Sequence, residues 1–175
     1  VEHKGTPDIK RDRPNFIREV YRALINLTLG NASTITAQMV FDKAKEYIDK
    51  LANDQCTIND LQVSVSLNNN VETLSPGAQA WENMKKRQDP DTPQSGDRLS
   101  YAHIYKKEFK KNDTAVRDKT ESVSHIQRNN LPLDNIYYLE QVRKNMADVV
   151  VSVDPKGTSG VRMHEDETKA SHTLQ

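Results

Sequence analysis

The chain has one cysteine, Cys56, so no disulfide can form within it. That fits a reducing compartment. Its histidines are scattered (His3, His103, His125, His164, His172), and no cysteine–histidine set has metal-ligand spacing. No apolar run approaches the roughly 18–20 residues that span a bilayer, and no signal-peptide pattern is present. No charge of one sign prevails, because 25 basic and 25 acidic residues cancel. The overall charge therefore gives no support for a strongly basic, free-standing nucleic-acid binder, although a local patch would suffice. Apolar residues are scarce, at 35%, and mean hydropathy is −0.82. A modest core with long polar segments is expected. No internal repeat is visible, and 175 residues suffice for one domain or a domain with a tail.

What is present is amphipathic. Phe16, Ile17, Val20, Tyr21, Leu24 and Ile25 share one helical face from Pro14 to about Leu29. Arg18, Glu19, Arg22 and Asn26 take the solvated face. Asp12 is the expected N-cap and Gly30 the C′ residue. A second helix is expected over 36–53, with Val40, Ala44, Tyr47 and Leu51 in its stripe. The turn at 31–34 is short, so the two helices should pack as an antiparallel pair. The period then changes to two. Leu61, Val63, Val65 and Leu67 alternate with Gln62, Ser64 and Ser66, which predicts a half-buried strand. Pro76 and Gly77 start a short helix to about Lys86, with Ala80, Trp81 and Met84 inward. Gly96-Asp97-Arg98 leads into a second strand over 99–105. Residues 106–119 read as a charged, mobile excursion, and 121–128 as a short helix. The segment from about 154 has little to bury and is expected to be disordered.

The most informative stretch runs from Asn130 to Gln141. Pro132 fixes its own φ and pushes Leu131 towards an extended shape. Asp134 is a suitable N-cap. The helix it opens carries the adjacent tyrosines Tyr137 and Tyr138, followed by Leu139, Val142, Met146 and Val149 on one face. Adjacent tyrosines cannot share a face, so one is expected in the core and the other at a phosphate or a backbone carbonyl.

These residues carry a resemblance. Lys4-Gly5, then Lys10-Arg11-Asp12, then a helix pair, a strand, a short helix, Gly96-Asp97-Arg98 with a strand, and the Pro132–Tyr138 helix follow one another. In that order they resemble the C-terminal thumb region of family B DNA polymerases, most like those of large double-stranded DNA viruses. The resemblance covers about residues 1–150. It implies an α+β, mainly helical, thumb-like fold: a helix pair, a small β element, a closing helix and a disordered tail. It implies a palm end and palm–thumb junction at 1–12, a thumb at 13–153 and a tail at 154–175. Because Val1–Gly5 reads as a continuation, the sequence is expected to be a C-terminal fragment of a DNA-directed DNA polymerase acting in viral DNA replication.

A thumb grips primer–template duplex, chiefly through phosphates. The resemblance gives Lys4, Arg11, Arg98, Tyr101, Lys106 and Lys107 as the DNA-binding candidates. Gly5, Asp12, Gly96, Asp97, Pro132, Asp134, Tyr137 and Tyr138 are the structural ones. Arg98 could equally pair with Asp97. Catalysis by this family needs paired aspartates holding two metal ions about 3.5–4 Å apart. No such pair is recognised here, so catalytic and metal residues are assigned to none. Mg2+ and deoxynucleoside triphosphates belong to the palm and fingers of a full-length enzyme. A processivity factor is an allowed partner, a membrane is not, and the implied setting is intracellular, in the host nucleus. Asp89-Pro90-Asp91 and Glu165-Asp166-Glu167 read as solvated surface. The chain departs from the family pattern at Val65, where a lysine is usual, and at Val142, where a glutamine is usual. Two other readings stay open: a stand-alone duplex-binding module, and an unrelated helical interaction protein.

Overall fold

The structure is a computed structural model that describes residues 13–67, 75–106 and 116–154. Helix α1 spans Asn15–Gly30 and buries Phe16, Ile17, Val20, Tyr21 and Leu24. Its cap position falls on Pro14, without a side-chain cap, and not on Asp12 as expected. The helix also takes in Gly30 and is capped by Asn31. Helix α2 spans Ala37–Ala52, and Thr36 caps it by accepting from the N–H of Met39.

The helix that closes the fold, Asn135–Val153, completes this bundle, although the sequence promised only a pair. Two distant hydrogen bonds place it. The Asn145 amide donates to the carbonyl of Ile17, and the Asn135 amide donates to Asp54, just past the end of α2. Its start therefore lies by the end of α2 and its middle by the start of α1. Asp134 caps it, accepting from the N–H of Tyr137 at 3.1 Å. Tyr138, Val142, Met146 and Val149 meet Val20, Leu24, Val40, Ala44 and Leu51 in one apolar core. Each fully buried Val, Leu or Met stabilises the fold by about 1.5–3 kcal/mol.

A short helix α3, Ile58–Leu61, corrects the strand expected from Leu61. Thr57 and Asp60 form a capping box there, the Thr57 N–H donating to the Asp60 carboxylate at 2.8 Å. Strand β1 is only Val63–Ser66, and β2 is Arg98–His103. A third strand, β3, Thr120–Ser122, was not foreseen. The order is β1-β2-β3, all antiparallel, with Val63 opposite Tyr101 and Tyr101 opposite Ser122. Helix α4, Pro76–Arg87, packs on the face that carries Val63, Leu67, Leu99 and Tyr101, using Ala80 and Met84. Gly77 permits that approach: a Cβ there would lie 2.8 Å from a Val65 methyl. Trp81 packs half-buried against this core, its Nε1 donating to the Pro93 carbonyl.

Residues 107–115, most of the expected excursion, lie outside the described residues, and Val116–Lys119 form a 3-10 turn. Helix α5, Val123–Asn129, starts two residues later than expected, because Glu121 and Ser122 belong to β3. The closing helix, now α6, is reached through Leu133, which bridges Ile104.

Candidate nucleic-acid interface

Strand residues alternate between faces, so β1 separates two depressions. Gln62 and Ser64 line the first, with Ser100 and Arg98 from β2 and Arg13, Asn15 and Arg18 from the start of α1. Its volume is about 290 Å³, and none of its lining residues among those described is acidic. Arg98 lies exposed across β1. Its Nε donates to Ser64 Oγ at 3.2 Å, its Nη1 to Ser66 Oγ at 3.3 Å, and its Nη2 to the Ser64 carbonyl at 3.0 Å. All three acceptors are neutral. It does not pair with Asp97, whose carboxylate instead accepts from the N–H of Gln94 at 2.8 Å. Gly96, at φ +101°, makes the turn that aims this arginine. Arg18 donates to the Asn15 amide oxygen within the first turn of α1, while its Nε is buried without a partner among the described residues. Arg13 reaches Gln141 on α6 at 3.4 Å.

Three guanidinium groups thus gather around hydroxyls and amides without a carboxylate among the described lining side chains. Guanidinium forks match phosphate oxygens in a bidentate way, and serine hydroxyls add donors. Chemically, such an arrangement is suited to an oxyanion.

The second depression, also about 290 Å³, lies on the other side of β1, against Val63, Val65, Tyr101, His103 and Tyr137. His103 is only 4% exposed. Its ring stacks on Tyr137, with centroids 3.7 Å apart, and neither ring nitrogen has a partner among the described residues. A buried polar group in that condition costs about 1–3 kcal/mol. Burial, helped by the charge of Lys119, pushes its pKa down to about 3. The tyrosine pair divides as expected in part. Tyr138 is the core member, and its hydroxyl accepts from the backbone N–H of His103 at 3.0 Å. Tyr137 meets an imidazole rather than a carbonyl.

Of the sequence-chosen DNA-binding residues that the structure describes, only Arg98 lines the basic depression. Tyr101 is 6% exposed and belongs to the core under α4, so it is not presented to solvent. Lys106 is half-buried, past the end of β2. Lys4, Gly5, Arg11, Asp12 and Lys107 lie outside the described residues. Pro132 accepts from the N–H of Tyr105 at 2.9 Å, which ties the approach to α6 onto β2. Arg13 and Arg18 were missed. The available signal was the cluster Arg11, Arg13, Arg18 around one helix start, in which Arg18 passed as solvated surface.

The acidic pair at 89–91 is not loose surface. Asp89 and Glu121 share Arg87, each at 3.0 Å, and Arg128 pairs with Asp91 at 3.0 Å. A hydrogen bond from Ser124, with the Arg128 guanidinium, holds Asp91 below the usual carboxylate range. These carboxylates tie α4, β3 and α5 together and do not fit a catalytic metal pair. No group of three or more His, Cys, Asp or Glu among the described residues is placed to hold a metal ion. No helix among them is long and apolar enough to cross a membrane.

Residues 1–153 match the profile of DNA polymerase family B. The chain is 30% identical over 132 residues to the DNA polymerase of Pyramimonas orientalis virus, covering 74% of this chain and 11% of that one. It is 28% identical over 152 residues to the DNA polymerase of Acanthamoeba polyphaga mimivirus, covering 82% of this chain and 8% of that one. In fold it is similar to the family B DNA polymerase from the hyperthermophilic archaeon Pyrobaculum calidifontis, with a TM-score of 0.58, 15% identity, and coverage of 81% of this chain and 18% of that one.

Proposed function

The chain belongs to DNA polymerase family B, and from that premise we propose that it is the thumb region of a DNA-directed DNA polymerase that replicates viral DNA. Residues 13–153 form the thumb, 1–12 its junction with the palm, and 154–175 a tail. The region grips primer–template duplex behind the active site, through phosphates and without reading bases. The observation that supports this most is the depression, free of acidic side chains among the described residues, where Arg98 of β2 meets Arg13 and Arg18 beside and within α1. By the family resemblance, Lys4, Arg11, Lys106 and Lys107 are further phosphate contacts. The polymerase reaction, its deoxynucleoside triphosphates and its Mg2+ belong to other parts of a longer protein, since the chain spans about a tenth of its viral relatives' length. The divalent metal would there stabilise charge on the transferring phosphate. A processivity factor and the host nucleus complete the proposed setting.

The test is binding of a fluorescent primer–template by the 175-residue chain at several salt concentrations. The reading predicts affinity that falls steeply and linearly on a log–log plot, with little dependence on sequence. Affinity that is flat in salt, or confined to one sequence, would overturn it.

A further inference from the structure

We propose that Ser64 and Ser66 are positioning residues: their hydroxyls seat the Arg98 guanidinium across β1, ready to take a phosphodiester with its remaining N–H groups. This seat rests on the duplex-grip reading and deepens it, by naming what holds the arginine in place before DNA arrives. Register brings the residues together. Arg98 lies opposite Ser66, and Ser100 opposite Ser64. Residues two apart share a strand face, so all four project from one side of the sheet. Helix α4 covers the other side, over Val63, Leu99 and Tyr101. β1 is an edge strand, and both Arg98 and Ser66 are exposed.

A guanidinium has five N–H groups. Three of those on Arg98 are engaged: Nε by Ser64 Oγ, Nη2 by the Ser64 carbonyl, and Nη1 by Ser66 Oγ. One N–H is left on each Nη, and such a pair suits two phosphate oxygens. Each hydroxyl accepts from Arg98 and keeps its own O–H to donate. A carboxylate in the serines' place would hold the arginine and also neutralise it. A hydroxyl holds it and leaves the charge for the ligand. Asp97, its neighbour in sequence, is engaged elsewhere, accepting from the N–H of Gln94. An unheld arginine loses rotamer freedom when it binds. One already held at three points loses less, and that preorganisation raises affinity.

The experiment uses the full chain. Duplex binding is measured against salt for Ser64→Ala/Ser66→Ala, for Ser64→Thr/Ser66→Thr, for Arg98→Ala, and for the alanine pair combined with Arg98→Ala. The alanine pair should weaken binding about fivefold at every salt concentration. Its slope should not change, because the charge remains. The threonine pair keeps both hydroxyls and should bind nearly as well as the unsubstituted chain. Arg98→Ala should flatten the slope by about one, and adding the alanine pair to it should cost little more. In parallel, the 15Nε signal of Arg98 is followed on adding inorganic phosphate. Its half-maximal response should need about fivefold more phosphate in the alanine pair than in the unsubstituted chain.

Unweakened binding by the alanine pair overturns the seat. So does a loss that persists undiminished beside Arg98→Ala, which would make the serines independent contacts. A threonine pair as weak as the alanine pair overturns it as well. If the alanine pair does not fold, Ser66→Ala alone decides: an Arg98 phosphate response equal to that of the unsubstituted chain overturns the seat. If Arg98→Ala leaves the slope unchanged, the duplex-grip reading fails on its own. The phosphate response then judges the seat, and equal responses with and without the serine hydroxyls overturn it.

Discussion

The phenol oxygen of Tyr138 accepts a hydrogen bond from the backbone N–H of His103 at 3.0 Å, across 35 positions of sequence. The bond fills a gap in the sheet. Val63 lies opposite Tyr101, so residue 61 would lie opposite His103 if β1 continued. Leu61 instead ends α3. The N–H of His103 is thereby left without a ladder partner from β1, and α6 supplies one from a side chain.

Tyr138→Phe removes that acceptor and leaves a buried N–H. Stability should fall by about 1–3 kcal/mol in urea unfolding, with the helical signal retained at low denaturant. A variant as stable as the unsubstituted chain would show that the hydroxyl is not the partner that matters.

Acid should act through His103. Its pKa falls from an ordinary 6.5 to about 3 on folding, first because of burial. A depressed value stabilises the fold above the unfolded pKa, and that stabilisation is lost as pH falls from 6.5 towards 3. The loss is about 1.4 kcal/mol per pH unit within the window. Between about pH 7 and pH 5 the unsubstituted chain should therefore lose on the order of 2 kcal/mol more than His103→Gln. Equal losses in the two proteins would contradict the burial of a neutral imidazole.

Gly77 holds α4 against the sheet. In Gly77→Ala the new methyl would press on Val65 Cγ2, and Tyr101 Cε1 would lie 3.3 Å from it. Val65 is β-branched and turns poorly. Overpacking of this kind costs about 1–3 kcal/mol, which thermal unfolding would register as a lowered midpoint. An unchanged midpoint would mean that α4 can shift without penalty.

The sequence made the long helices legible because their apolar residues recur at the helical period over several turns. Val20 and Leu24, and likewise Val142, Met146 and Val149, mark their faces without help from anything distant. The short elements were not legible for specific reasons. Leu61 continues the alternation of Val63 and Val65, so it passes for a strand residue, while the capping box Thr57 to Asp60 makes it helical. Strand β3 is Thr-Glu-Ser and carries no apolar signal. Glu121 is buried there through its ion pair with Arg87, 34 positions away. The same limit applies to the site. Glycine, aspartate and arginine at 96–98 marked one guanidinium, but only the fold brings it to Arg13 and Arg18. Nothing local to His103 shows that its ring nitrogens would be buried without partners.

In a longer enzyme carrying palm and fingers, a grip on the duplex should matter more for staying bound than for chemistry. Arg98→Ala is expected to shorten the product made per binding event while single-nucleotide incorporation changes much less. Primer extension with a trap for released enzyme measures the first, and single-turnover incorporation the second. Equal loss of both, or loss of neither, would count against a grip at Arg98.

If Arg13, Arg18 and Arg98 form one phosphate-binding surface, they should act together on the salt dependence of binding. Duplex affinity measured against salt, for the unsubstituted chain and for the triple variant with alanine at these three positions, tests this most directly. The triple variant's log–log slope should be shallower by roughly two to three, about 0.9 for each phosphate that is no longer neutralised. Parallel lines, with affinity lowered equally at every salt concentration or not at all, would contradict it.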